Sequence, residues 1–100
     1  MAPNKQSRKK LNKLQQLMVI TMEECGELTQ VCSKTIRKYD TVEEATSDEA
    51  QSNRTKLVEE AGDVLCMLQL MVSHGLLTME ELEQRVEVKK EKLKKWSDLV

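Results

Sequence analysis

The chain has 100 residues, of which 39% are hydrophobic and 33% are charged, and its formal net charge is −1. This length fits a single domain, residues 1–100, and the balanced charge excludes a strong overall field that would attract nucleic acid or a membrane surface. With three Gly, one Pro and no Phe among many Leu, Met, Glu, Lys and Gln residues, the composition predicts an all-α fold.

The first predicted element is a long helix near the N-terminus. Residues 1–7 contain no sustained apolar pattern and are predicted to form a disordered tail. From Leu11 to Ile36, apolar residues recur at helical intervals. This period predicts one long helix, or two nearly collinear helices, over residues 8–38.

A loop and a second helix follow. Residues 40–54 are rich in Thr, Ser, Asp and Asn, which predicts a loop, and the capping-box spacing of Thr41 and Glu44 predicts a short helical turn within it. The second helix is predicted over residues 53–73, with Asn53 as its N-cap.

The third helix and the assembly can also be predicted. Gly75 fits a left-handed residue after the second helix, and Thr78 with Glu81 forms a capping box that opens a third helix ending near Ser97. Three amphipathic helices with wide apolar faces rarely bury themselves completely. We therefore expect a helical bundle of three main helices per chain, completed by association into a homodimer or homotetramer; the alternative is a compact monomer with a small core.

Two acidic stretches are near copies of each other. Residues 23–28 read EECGEL, and residues 59–64 read EEAGDV. Carboxylates three or four positions apart share one face of a helix. Two such faces brought together offer hard oxygen ligands, which Mg²⁺ prefers.

Helical-wheel positions place one acid of each stretch on the apolar face. At about 100° per residue, Glu24 lies among Leu17 and Leu28, and Glu60 lies among apolar residues of the second helix. The other acids keep the same order in both helices: Glu27 and Asp63 lie on the edges of the apolar faces, and Glu23 and Glu59 lie further out.

Inward carboxylates require compensation. A buried ionised carboxylate is costly, and a bound divalent cation would remove that cost. The alternative is a buried salt bridge from Lys56 or Lys89. Gly26 and Gly62 each lie beside an acidic stretch, which predicts a close approach of backbone or ligand there; chance is the alternative.

The pattern Glu24-x-x-Glu27 followed by Glu60-x-x-Asp63 resembles the ExxE…ExxD signature of the MazG-like all-α nucleoside triphosphate pyrophosphohydrolases. This superfamily also contains dimeric dUTPases and phosphoribosyl-ATP pyrophosphatases. The resemblance covers residues 11–96, including EEAGDV and the ending EKLKKW, and the length is similar to that of small phage- or integron-borne members. It implies cleavage of a nucleoside triphosphate to the monophosphate and pyrophosphate. It also implies that these four acids hold Mg²⁺, for which Mn²⁺ can substitute.

This reaction needs a water-activating base and cations for the phosphates. Glu23 or Glu59, just outside the ligand set, is the candidate general base, with a surface role as the alternative. The candidate phosphate-binding residues, each of which is otherwise an ordinary surface cation, are Lys89, Lys34, Lys38 and Arg85.

Base and sugar recognition is assigned to few residues. Asn53 and Arg54 are candidates for hydrogen bonds to a base or sugar. Tyr39 and Trp96 are the two side chains that can stack on a base, although Trp96 also fits a core position.

The remaining features concern location and competing classes of protein. Cys25, Cys32 and Cys66 are odd in number and lie within apolar helical patterns, so they are predicted to be buried reduced thiols of a cytoplasmic protein. A zinc site is the alternative, but the sequence has no CxxC motif and only one His. The sequence contains no apolar run of about 18 residues, so no membrane span is predicted, and no secretory signal is evident.

The competing hypothesis is a non-enzymatic helical module that binds a protein or nucleic acid through its basic third helix. A di-iron bundle is set aside, because neither acidic pair includes a Glu-x-x-His.

Overall fold

In the computed structural model, residues 10–100 are described, and these residues form helices without any β-strand. The all-α class with three main helices is therefore confirmed. The elements in chain order are α1 (Lys13–Lys38), α2 (Val42–Ala45), a 3₁₀ turn (Asp48–Ala50), α3 (Gln51–Ser73) and α4 (Met79–Trp96).

Helix α1 begins with a complete capping box. The Asn12 side chain accepts a hydrogen bond from the Gln15 N–H at 2.8 Å, and the Gln15 side chain accepts one from the Asn12 N–H at 3.1 Å. The predicted start at residue 8 is therefore wrong, because this cap fixes the start at Lys13. The alternative of two collinear helices is also wrong, since α1 is continuous. The predicted tail, residues 1–7, lies outside the described residues.

The connection between α1 and α3 is more regular than the loop predicted for it. Thr41 Oγ1 accepts from the Glu44 N–H at 3.1 Å, as predicted, but the Glu44 carboxylate accepts from the Asp40 N–H instead of closing the box. The 3₁₀ turn leads directly into α3, which begins at Gln51. The prediction that Asn53 is the N-cap is therefore wrong, because Asn53 lies within the first turn.

The end of α3 and the start of α4 match the predictions. Gly75 has a φ of +81°, and hydrogen bonds from Leu76 N to Met71 O (2.9 Å) and from Gly75 N to Val72 O (3.0 Å) form a Schellman motif. Before α4, the Thr78 and Glu81 side chains each accept from the other's backbone N–H, which confirms the capping box.

The chain divides into two compact units, Met1–Gln69 and Leu70–Val100. In the first, α1 and α3 are antiparallel, since Thr35 is bonded to Asn53 while Glu27 lies beside Glu60. The buried apolar residues of this unit are Leu17, Val31, Ala50 and Met67.

The second unit consists of the end of α3, the turn at Gly75 and α4. No residue of α4 is buried, and Trp96 is 83% exposed, so the core position considered for Trp96 is wrong. Among the described residues, no helix is long and apolar enough to cross a membrane.

The three cysteines are exposed, so the prediction of buried thiols is wrong. They lie at helical positions outside the inward faces, which the apolar pattern alone did not separate from the buried ones. Cys25, for example, follows the inward-facing Glu24 in sequence, and the step of about 100° around α1 places it outside the inward face.

Candidate metal centre

Four carboxylates converge in the first unit, from near the middle of α1 and near the middle of α3. One oxygen from each of Glu24, Glu27, Glu60 and Asp63 lies within 4.8 Å of the others. The antiparallel pairing of α1 and α3 produces this convergence, because it sets the two acidic stretches side by side. The four acids selected from the sequence are thus brought together.

The cluster is buried on one side and open on the other. Glu60 is only 5% exposed, Glu24 is half-buried, and Glu27 and Asp63 are exposed. The wheel positions of these four residues predicted this gradient. Glu23 is half-buried, further inward than its wheel position indicates, because a wheel treats α1 as an isolated helix.

Burial and mutual repulsion make the cluster electrostatically unfavourable without a cation. Oxygen Oε2 of Glu24 and Oε2 of Glu60 are buried and have no hydrogen-bond partner among the described residues. Burial, followed by repulsion from Glu27 and Asp63, raises the pKa of Glu24. The cluster therefore lacks a positive partner at these two buried oxygens, and a buried acceptor left unsatisfied destabilises the fold.

The salt bridge considered as the alternative to a metal is present only in part. Lys56 Nζ lies 3.2 Å from Glu60 Oε1 and 3.7 Å from Glu59 Oε2. Hydrogen bonding to Glu60, together with the charges of Glu60 and Glu59, raises the pKa of Lys56. The Lys56 side chain is 60% exposed, so this ion pair is a solvated one that satisfies a single oxygen of Glu60. Lys89 lies in the second unit and makes no ion pair within residues 10–100.

An open groove of about 610 Å³ adjoins the acids. Glu27 and Glu60 line one end, and Lys34 and Lys56 line the adjoining part. The groove follows α1 from Glu27 to Tyr39, and helical rise gives this segment a length of about 18 Å.

The far end of the groove differs in chemistry from the acidic end. Lys38, Tyr39, Glu49 and Asn53 line it. The groove therefore changes along its length from acids, through lysines, to an aromatic ring with polar groups beside it. Both helices give the same order, since α3 contributes Glu60 and then Asn53 in the opposite chain direction.

The predicted substrate-binding residues separate into two groups. Lys34, Lys38, Asn53 and Tyr39 line the groove. Arg54 does not, because one residue along α3 turns it about 100° away from Asn53. The others lie in the second unit and are not among the lining residues: Lys89, Arg85 and Trp96.

Two charged lining residues, Lys56 and Glu49, were selected from the sequence neither as substrate-binding residues nor as metal ligands. Lys56 precedes Glu60 by four positions, and this spacing signals a shared helix face. Glu49 belongs to the 3₁₀ turn, whose placement no periodic pattern reveals.

Gly26 and Gly62 are not approached by another part of the described chain. A Cβ at either position would meet no atom within 4 Å, so the predicted close approach of backbone is wrong for the described chain.

No protein-family model, curated protein or solved structure matches the chain. The resemblance to the MazG-like pyrophosphohydrolases therefore stays a prediction based on the ExxE…ExxD pattern. The site itself is the basis for a functional proposal.

Proposed function

We propose that the protein is a MazG-like, Mg²⁺-dependent nucleoside triphosphate pyrophosphohydrolase that yields a nucleoside monophosphate and pyrophosphate. One observation supports this most strongly. The buried Oε2 of Glu60 has no partner among the described residues, although it belongs to a four-carboxylate cluster at the end of a lysine-lined groove.

The donor set fits a hard divalent cation. Carboxylate oxygens alone are available in the cluster, and such ligands favour Mg²⁺ or Mn²⁺ over softer metals. Glu24, Glu27, Glu60 and Asp63 would hold the ion. When bound, it supplies neutralisation of phosphate charge and activation of water.

The residues of the chain account for the other requirements. Lys34 and Lys56 lie next to the acids along the groove, where they can bind phosphate oxygens. Glu23 and Glu59 flank the cluster and are candidates to accept a proton from water; the half-buried Glu23 is the better shielded of the two. Tyr39 offers a stacking surface for the base.

We also propose that two or four copies associate. Leu14, Met18 and Ile36 are exposed and lie within about 40° of one another on α1. Val58 and Leu65 form a comparable exposed pair on α3. Apolar faces of this extent support self-association.

The competing helical-module hypothesis has less support. On α4, Lys90 and Lys94 lie 3.8 Å and 2.8 Å from Glu87 and Glu91. These ion pairs reduce the basic character on which nucleic-acid binding would depend. Salt-dependent binding to DNA or RNA, without stabilisation by a divalent cation, would favour the module.

The test is a pyrophosphate-release assay across canonical and modified nucleoside triphosphates with Mg²⁺ or Mn²⁺. Glu60→Gln and Asp63→Asn should each abolish release while circular dichroism shows unchanged helical content. Glu83→Gln, at an exposed position on α4, is the matched control and should retain activity. No turnover of any nucleotide by the wild type would overturn the proposal.

A further inference from the structure

We infer that the far end of the groove selects a base carrying an exocyclic amino group, with Asn53 and Glu49 as hydrogen-bond acceptors. This inference rests on the proposed function, since it concerns the base of the same nucleotide. It would favour cytosine, adenine or guanine over uracil or thymine.

The hydrogen bonds around Thr35 determine the orientation of the Asn53 amide. The Thr35 hydroxyl has one proton, which it donates to the Val31 carbonyl oxygen at 2.8 Å. It therefore acts as the acceptor in its 2.9 Å bond with Asn53, and Asn53 donates through Nδ2. The other end of the amide, Oδ1, accepts no hydrogen bond within residues 10–100, and Asn53 lines the groove.

Glu49 adds a second acceptor. It lies in the 3₁₀ turn Asp48–Ala50, and Ala50 is fully buried at 0% exposure, which anchors the turn. The Glu49 side chain is exposed and forms no ion pair within residues 10–100. An ionised carboxylate only accepts hydrogen bonds.

The two acceptors match a donor-bearing base edge. An exocyclic amino group carries two N–H donors, whereas uracil and thymine present a carbonyl oxygen at the position of the cytosine amine. That oxygen would face the carboxylate of Glu49 without a proton between them. A site that hydrogen-bonds one group discriminates strongly against an analogue lacking it, so we expect a preference of about ten-fold or more.

One nearby group would favour the opposite choice. Lys38 also lines this end of the groove, and its ammonium donates hydrogen bonds. It lies one turn of α1 beyond Lys34, so its flexible side chain can reach towards the phosphates. If Lys38 bound the base edge instead, a carbonyl-bearing base would be preferred.

The experiment compares two matched pairs of non-hydrolysable α,β-imido nucleotides, dCTP against dUTP and ATP against ITP, each differing by an amine in place of an oxo group. Calorimetric titration of the full chain with Mg²⁺ should give a dissociation constant about ten-fold lower for the amine member of each pair. Glu49→Ala should reduce the ratio of the two dissociation constants, oxo member over amine member, at least three-fold. Glu43 is an exposed acid on α2 outside the groove, so Glu43→Ala should leave this ratio unchanged.

Thr35→Val tests the amide orientation, because it removes the acceptor that holds Asn53 Nδ2; it should also lower the ratio. Equal or reversed affinities in the wild type would overturn the inference, even if the nucleotides are hydrolysed. A ratio unchanged in both Glu49→Ala and Thr35→Val would overturn it as well. Discrimination in binding without turnover of natural triphosphates would support the inference and contradict the proposed hydrolase.

Discussion

Lys56 Nζ lies 3.2 Å from Oε1 of Glu60, the most buried acid of the four-carboxylate cluster. The same lysine lines the groove. It therefore has two alternative anions, the cluster itself and a phosphate in the groove. An exposed lysine side chain can move between them, since a solvated ion pair holds it weakly.

Replacing this lysine should separate metal binding from nucleotide binding. Lys56→Met leaves the cluster more negative, so Mn²⁺ should bind several-fold more tightly in the absence of nucleotide. The KM for a nucleoside triphosphate should rise several-fold, because the groove loses a cation. Lys94→Met, which removes a similarly exposed helical ion pair on α4, is the control. Weaker Mn²⁺ binding in Lys56→Met, measured by paramagnetic resonance titration, would contradict this interpretation.

Stability without metal should depend on the charge of Glu24. The pKa of Glu24 is raised above its ordinary value of 4.5, so the folded protein holds this proton more readily than the unfolded chain. The resulting stabilisation is fully present below pH 4.5 and is lost as the pH rises through the raised pKa. Glu24→Gln should therefore have a higher Tm than the wild type in EDTA at pH 7.

Thermal unfolding of both proteins from pH 4 to pH 8 provides the measurement. The two curves should diverge as the pH rises, and excess Mg²⁺ should stabilise the wild type but not the variant. Glu83→Gln should follow the wild type. Parallel pH dependences for the wild type and Glu24→Gln would refute the assignment of this loss of stability to the charge of Glu24.

Two Gly→Ala substitutions should have opposite effects on stability. At Gly75, the φ of +81° strains any residue with a Cβ, so Gly75→Ala should destabilise by about 1 kcal/mol. At Gly62, inside α3, a Cβ meets no atom within 4 Å, so Gly62→Ala should stabilise by up to about 1 kcal/mol. Urea unfolding of the two variants measures both. Destabilisation by Gly62→Ala would instead indicate that something outside the described chain packs there.

Association should depend on the exposed apolar face of α1. The double substitution Met18→Lys and Ile36→Lys should shift the protein to a smaller assembly, because it places charges in the proposed contact. Val42→Lys changes an apolar residue on α2 that is about as exposed as Ile36, and it should leave the assembly intact. Light scattering after size-exclusion chromatography gives the masses. A wild type that is monomeric at high concentration would contradict the proposal.

Local sequence signals predicted much of the fold. Thr78, Glu81 and Gly75 were correctly assigned because a capping box and a left-handed glycine depend on residues a few positions apart. The acidic cluster was predictable for a similar reason, since helical period places Glu24 and Glu60 on inward faces.

The features that the sequence misassigns depend on the path of the connection between α1 and α3, or on which faces of the helices the rest of the chain covers. The sequence pattern favours Asn53 as an N-cap, because the 3₁₀ turn that leads into α3 at Gln51 has no periodic pattern. Glu49 was missed for the same reason. Cys25 was expected to be buried, and a core position was one alternative for Trp96, but periodicity does not tell a covered apolar face from an exposed one.

Phosphorus NMR of the products of a single nucleotide tests the central claim most directly. With dCTP, Mg²⁺ and wild-type protein, the proposed function predicts dCMP and pyrophosphate in equal amounts, with neither formed by Glu60→Gln. Formation of dCDP and orthophosphate, or persistence of intact nucleotide across the whole triphosphate panel, would contradict it.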